Sequence, residues 1–105
     1  MHYLFEVTAK PGHTIEQYAD AWVRASQLIQ QAPGAQGTRL HRKIGDEHTA
    51  LAIATWENKA ARDASAALLP ERVQEIIQSQ APFVEIHFIG EFDAPEWEVL
   101  PPDWQ

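Results

Sequence analysis

The alternation of side chains is clearest in residues 49–57, TALAIATWE, where neither alternate set carries a charge before the final glutamate. Side chains of a strand point to opposite faces in turn, so Leu51, Ile53 and Thr55 take one face and Ala50, Ala52, Ala54 and Trp56 the other. A strand with two uncharged faces belongs in the centre of a sheet with both sides covered. Its alanine row leaves room beside the indole, to be filled by a neighbouring strand, a partner subunit or a ligand.

Residues 2–8 also alternate, with Tyr3, Phe5 and Val7 against His2, Leu4, Glu6 and Thr8. Thr14 and Gln17 have capping-box spacing at the start of a helix whose apolar face is Ile15, Tyr18, Ala19, Trp22, Ala25, Ile29 and Ala32. Pro33-Gly34 stops it. A second strand spans residues 37–44, Thr38, Leu40, Arg42 and Ile44 alternating with Arg39, His41 and Lys43, and a turn at residues 45–47 leads into the 49–57 strand. A second helical region opens on an Asn58 cap and breaks at Leu69-Pro70, after which Pro70 begins a fresh helix carrying Val73, Ile76 and Ile77. Residues 83–92 form the last strand, with Val84, Ile86, Phe88 and Phe92 opposing Phe83, Glu85, His87, Ile89 and Glu91.

The order βαββαβ with right-handed crossovers predicts an α+β, ferredoxin-like domain over residues 1–92, a four-stranded antiparallel sheet with its helices on one face. The other face, taken to be that of Ala52, is too apolar to stay wet and is expected to meet a second copy of the chain. Residues 93–105, DAPEWEVLPPDWQ, form a Pro/Trp-rich acidic C-terminal arm. It reads either as a disordered end or, because of Trp97, Val99, Leu100 and Trp104, as an arm docked on its own body or on the partner.

With 105 residues there is one domain and one core. The absence of cysteine excludes disulfides, thiolate catalysis and cysteine-ligated metals. A net charge of −7, with only Arg39, Arg42 and Lys43 clustered, speaks against nucleic acid and leaves small molecules or protein as partners. The apolar runs fall short of the ~20 residues of a membrane helix, and residues 1–3 lead into a strand rather than a signal peptide, so no membrane is expected and the location is expected to be cytoplasmic. There is no phosphate-binding glycine loop, nucleophile elbow or dinucleotide fingerprint.

Chemistry is placed by the faces. If Ala52, Ala54 and Trp56 share a face with His2, Leu4 and Glu6, then Arg39 and His41 from the second strand and Glu85 and His87 from the last can join them around the alanine-lined space. An imidazole there suits removal of a proton from a phenol or enol. His87 is the preferred base, since His2 sits at a terminus; His41 is the second candidate, and Trp56 stacks on a flat ring. The alternative is that Trp56 is packing and the polar groups pair across a dimer interface or stay wet at its edge. No histidine pair has tight ligand spacing, so no metal site is expected. His13 and His48 read as exposed turn residues.

The helix, QAPGAQGTRL at residues 31–40, the hairpin, and ATWEN at residues 54–58 before a helix together resemble the antibiotic biosynthesis monooxygenase family of dimeric α+β barrels, over residues 3–92. The resemblance implies a homodimer whose sheets pack face to face, with a cavity in each protomer between the sheet and the helices or loops. It also implies a cofactor-independent monooxygenase acting on a small hydrophobic, hydroxylated aromatic molecule: a base deprotonates it and the carbanion passes an electron to dioxygen. The alternative is a non-catalytic small-molecule-binding or structural homodimer, since this fold hosts several functions. Trp56 matches the family's strand-end tryptophan, whereas the quinone-forming members' asparagine and tyrosine positions hold Ala52 and Arg62. The positions of the haem degraders' asparagine and histidine fall near Leu4 and at Ala66, so haem ligation by that route is not expected.

Overall fold

The computed structural model describes residues 1–102. Strands β1 (His2–Ala9), β2 (Ala35–Lys43), β3 (Asp46–Trp56) and β4 (Val84–Phe92) form one antiparallel sheet in the order β2-β3-β1-β4. Helix α1 (Ile15–Ile29) crosses between β1 and β2, and α2 (Lys59–Ala67) and α3 (Glu71–Gln80) cross between β3 and β4. The local signals act as read: Thr14 and Gln17 make the reciprocal capping box of α1, and Asn58 accepts from the Ala61 amide at 2.8 Å to start α2. Gly34 adopts φ +85°, and a Cβ there would lie 2.6 Å from the Ala61 Cβ, so the residue that ends the α1 connection also lets α2 come close.

Strand register decides the faces, and it overturns one expectation. Across β1 and β3 the partners are Tyr3 with Ala54, Phe5 with Ala52 and Val7 with Ala50, and Leu40 of β2 faces Ala52. The alanine row therefore shares the helix-covered face with the large residues of its neighbours, and Ala50 and Ala52 are 0% and 1% exposed. Small residues on the central strand let bulk from β1 and β2 close over them. The bare face is the one with Leu4, Leu51 and Ile53, not that of Ala52.

A bulge corrects the last strand. Leu4 pairs with Gly90 and Phe5 with Phe88, which leaves Ile89 unpaired and inverts the alternation beyond it. Glu91, opposite Tyr3, turns to the helix side, and Phe92, opposite His2, turns to the bare side. Lys59 at the start of α2 meets Glu91 Oε1 at 3.1 Å. Phe83 belongs to a short 3-10 turn before β4, and Ile44 is a fully exposed turn residue rather than the end of β2.

The core has two parts. Val7, Ala9, Ile15, Ala50 and Val84 join β1, β3, β4 and the start of α1, while Ala21, Ala25, Val73 and Ile76 zip α1 to α3. Residues 93–102 form neither helix nor strand, and Trp97, Val99 and Leu100 are 85%, 97% and 70% exposed. The described part of the arm thus leaves its large apolar side chains open, and the radius of gyration of 15.5 Å exceeds the ~13 Å of a compact chain of this length. Trp104 lies outside the described residues.

Candidate functional site

Between the two core clusters is a cavity of about 360 Å³ with mostly apolar walls. Its floor is the sheet: Tyr3 and Phe5 of β1, Thr38 of β2, Ala54 and Trp56 of β3, and Val84 and Ile86 of β4. The room expected above the alanine row is real only at Ala54, because Phe5 and Leu40 flank Ala52 in the ladder and Val7 flanks Ala50. One wall is α1, whose helical spacing brings Tyr18, Ala21, Trp22, Ala25, Ser26 and Ile29 to the same side. Arg62, Ser65 and Ala66 of α2 roof it, and Ile76, Ile77 and Gln80 of α3 close the far side.

Trp56 is held where strand turns into helix. Its amide donates to the Met1 carbonyl at 2.9 Å, its carbonyl accepts from the N-terminal ammonium at 3.0 Å, and the next amide, of Glu57, donates to Gly34 at 2.8 Å. With its indole 5% exposed and one side on the cavity, it is both wall and core. Tyr3 is the polar counterpart: its ring packs 5.0 Å from Phe88 and carries the Arg62 guanidinium 4.2 Å above it.

The polar candidates on the strands are elsewhere. In the register, His41 faces Leu51 and Glu6 faces both Leu51 and His87, so these four form one row across the bare side of the sheet. Arg39 faces Ile53, which faces Leu4, and Glu85 faces Thr8, all on that side. Leu4, Glu6, Arg39, His41, Glu85 and His87 therefore share a face as expected among themselves, but the sheet separates them from Ala52, Ala54 and Trp56. His41 and His87 are three strand spacings apart, about 14 Å, too far to act on one atom. His2 meets Thr55 through Nδ1 at 3.1 Å on the same bare side. No group of three His, Asp or Glu side chains among the described residues is arranged to hold a metal. His13 stacks on Phe83 at 4.4 Å rather than standing free in its turn.

The family model described as antibiotic biosynthesis monooxygenase matches residues 1–69. The chain belongs to that family. Among solved structures, SnoaB, a cofactor-independent oxygenase from Streptomyces nogalater, is 13% identical, with 91% of this chain and 96% of that one covered and a TM-score of 0.68. A Pseudomonas aeruginosa protein is 19% identical, with coverages of 88% and 93% and a TM-score of 0.64. A conserved protein from Methanosarcina mazei Go1 is 10% identical, with coverages of 84% and 89% and a TM-score of 0.65. At these identities the likeness is one of fold. No curated protein matches the sequence.

Of the positions compared with this monooxygenase family, Trp56 and Arg62 line the cavity and Ala52 lies beneath its neighbours. Tyr3, Tyr18 and Trp22 were legible only as an apolar strand face and an apolar helix face, with no signal that they border a void. Tyr18 also titrates abnormally: burial pushes its phenol from 10.0 up to about 12. In the unfolded chain the phenol ionises first, so the folded state loses stability as pH rises from about 10 to 12, by about 2 kcal/mol in all. Urea titrations across that range should show the loss in wild type and a smaller one in Tyr18→Phe; equal losses would mean the phenol ionises in place.

Proposed function

We propose that this chain is a cofactor-independent monooxygenase that takes a small, flat, hydroxylated aromatic molecule into the cavity between sheet and helices. The observation that carries this reading is the largely apolar cavity walled by Trp22 and Trp56 in a member of this family. Indole faces give large apolar contact and stack on flat rings, and the polar edge groups Thr38, Ser26, Gln30 and Gln80 offer hydrogen bonds to hydroxyls. Once the substrate has lost a proton, its carbanion gives one electron to dioxygen. The radical and superoxide combine to a peroxide anion, which takes back a proton from water to give the hydroperoxide; loss of water then leaves a carbonyl, so one oxygen atom enters the product and the other leaves as water.

The protein acts as a homodimer through the bare sheet face, with the arm of residues 93–105 lying along the partner. On this reading His87, Glu6, Glu85, Arg39 and His41 belong to the interface and its edge rather than to the substrate. Neither histidine nor carboxylate lines the cavity among the described residues, so the proton passes to water. The same observation favours the second reading, a binding protein of this fold without turnover.

Oxygen-electrode measurements with anthrones and naphthols test both. Dioxygen consumption is expected, and it should survive His87→Ala with kcat within about twofold, because that imidazole faces away from the cavity. Activity lost with His87 in a folded dimer would return the base to the bare face. No consumption with any hydroxyaromatic would favour the binding protein.

A further inference from the structure

The cavity carries one charge. Arg62 is the only charged residue among the described residues that line it, in a chain whose net charge is −7. Its guanidinium lies 4.2 Å over the Tyr3 ring and forms an ion pair with the half-exposed Asp63 carboxylate at 3.8 Å, too long for a hydrogen bond. Among the described residues its side chain makes no hydrogen bond. The carboxylate across the ladder from Tyr3, that of Glu91, is taken by Lys59 at 3.1 Å. A guanidinium held by stacking, with its fork of donors unused at the roof of an apolar space, is a pre-organised anion contact.

We infer that the cavity selects flat aromatic molecules bearing an anionic oxygen, with Arg62 as the residue that receives that oxygen. This rests on the reading that the cavity is the binding site, and it deepens it: the substrate enters as an anion or is held as one. The Arg62 side chain is 27% exposed, and the apolar walls around the rest of it screen less than water does, which strengthens the attraction. Tyr3 packs against the guanidinium, and the donors of Arg62, which bond no other side chain or backbone group among the described residues, are left to a ligand in the cavity between the two tryptophans and α2. The anionic oxygen can belong to a carboxylate or to an ionised ring hydroxyl.

Calorimetry on the full chain with 2-naphthoate and its methyl ester reads the charge preference, and the fluorescence of 2-naphthol reads the ionisation of a bound hydroxyl. Wild type should bind naphthoate at least about tenfold more tightly than the ester, the effect of one charge-assisted hydrogen bond. Arg62→Leu should abolish that preference while keeping the ester's affinity, which also reports that the variant is folded, and Arg62→Lys should keep part of it. Ionisation of bound naphthol at a lower pH than in buffer, lost in Arg62→Leu, would identify a ring hydroxyl as the source; preference for naphthoate without that shift would identify a carboxylate. Equal affinity for naphthoate and ester, with no shift in naphthol, overturns the inference and leaves the cavity as a neutral aromatic site. Failure of all three probes to bind overturns the inference together with the cavity reading.

Discussion

Replacing Trp56 by alanine is expected to cost about 3 kcal/mol of stability, enough to lower the melting temperature by roughly 12 to 24 °C in a domain of this size. Truncated core aromatics lose about 3 to 5 kcal/mol, and the lower end applies because one face of this indole already borders the cavity. The backbone bonds that Trp56 makes to Met1 do not depend on the side chain, so the loss is one of packing. Trp56→Phe keeps most of the buried surface and should lose about a third as much. Both are measured by urea unfolding followed by far-ultraviolet circular dichroism at one protein concentration, since removal of an indole changes the fluorescence itself. A loss under about 1 kcal/mol for Trp56→Ala would mean that the surroundings collapse onto the vacancy and that the indole is not a wall.

The elements were legible because their signals are local. Thr14, Asn58 and Pro70 act on the backbone within a few positions of themselves and sit at the helix starts they mark, whereas α1 ends at Ile29, before Ala32, and Pro33-Gly34 lies in the turn that leads into β2. Which side of β3 would be covered was not legible, because both faces are uncharged and the choice depends on register with β1 and β2, a pairing between residues about fifty apart for β1. Alternation correctly grouped His87 with Glu6 and His41, but it gave no means to exclude Trp56 from that group. Gly90 within the last strand was the available sign of a bulge, and it explains why Glu91 and Phe92 exchange sides. Arg62 was noticed only as a departure from a family position. Its importance is three-dimensional: helical rotation of α2 sets it over Tyr3, and its one ion pair among the described residues, with Asp63 at 3.8 Å, is too long to use its hydrogen-bond donors.

Ile53→Asp is expected to convert the protein from dimer to monomer at about 10 µM while leaving each subunit folded. Ile53 is on the bare face between Leu4 of β1 and Arg39 of β2, outside both core clusters, so its replacement leaves the packing under the helices intact. In the isolated chain Leu4, Leu51 and Ile53 make an apolar centre flanked by Glu6, Arg39, His41 and His87, the arrangement of an interface core with a polar rim. A two-fold interface presents the same position twice, so a single substitution places two carboxylates in the contact, each losing its hydration without a partner. In the proposed dimer the arm is expected to contribute from the rim, because Trp97, Val99 and Leu100 are exposed in the single chain. Deleting residues 93–105 should therefore weaken association without abolishing it, since the sheet face remains. Sedimentation equilibrium over a hundredfold range of concentration checks both variants. A wild-type monomer at 10 µM would defeat the sheet-to-sheet dimer outright, and a dimer unaffected by Ile53→Asp would move the interface to the helical side of the molecule.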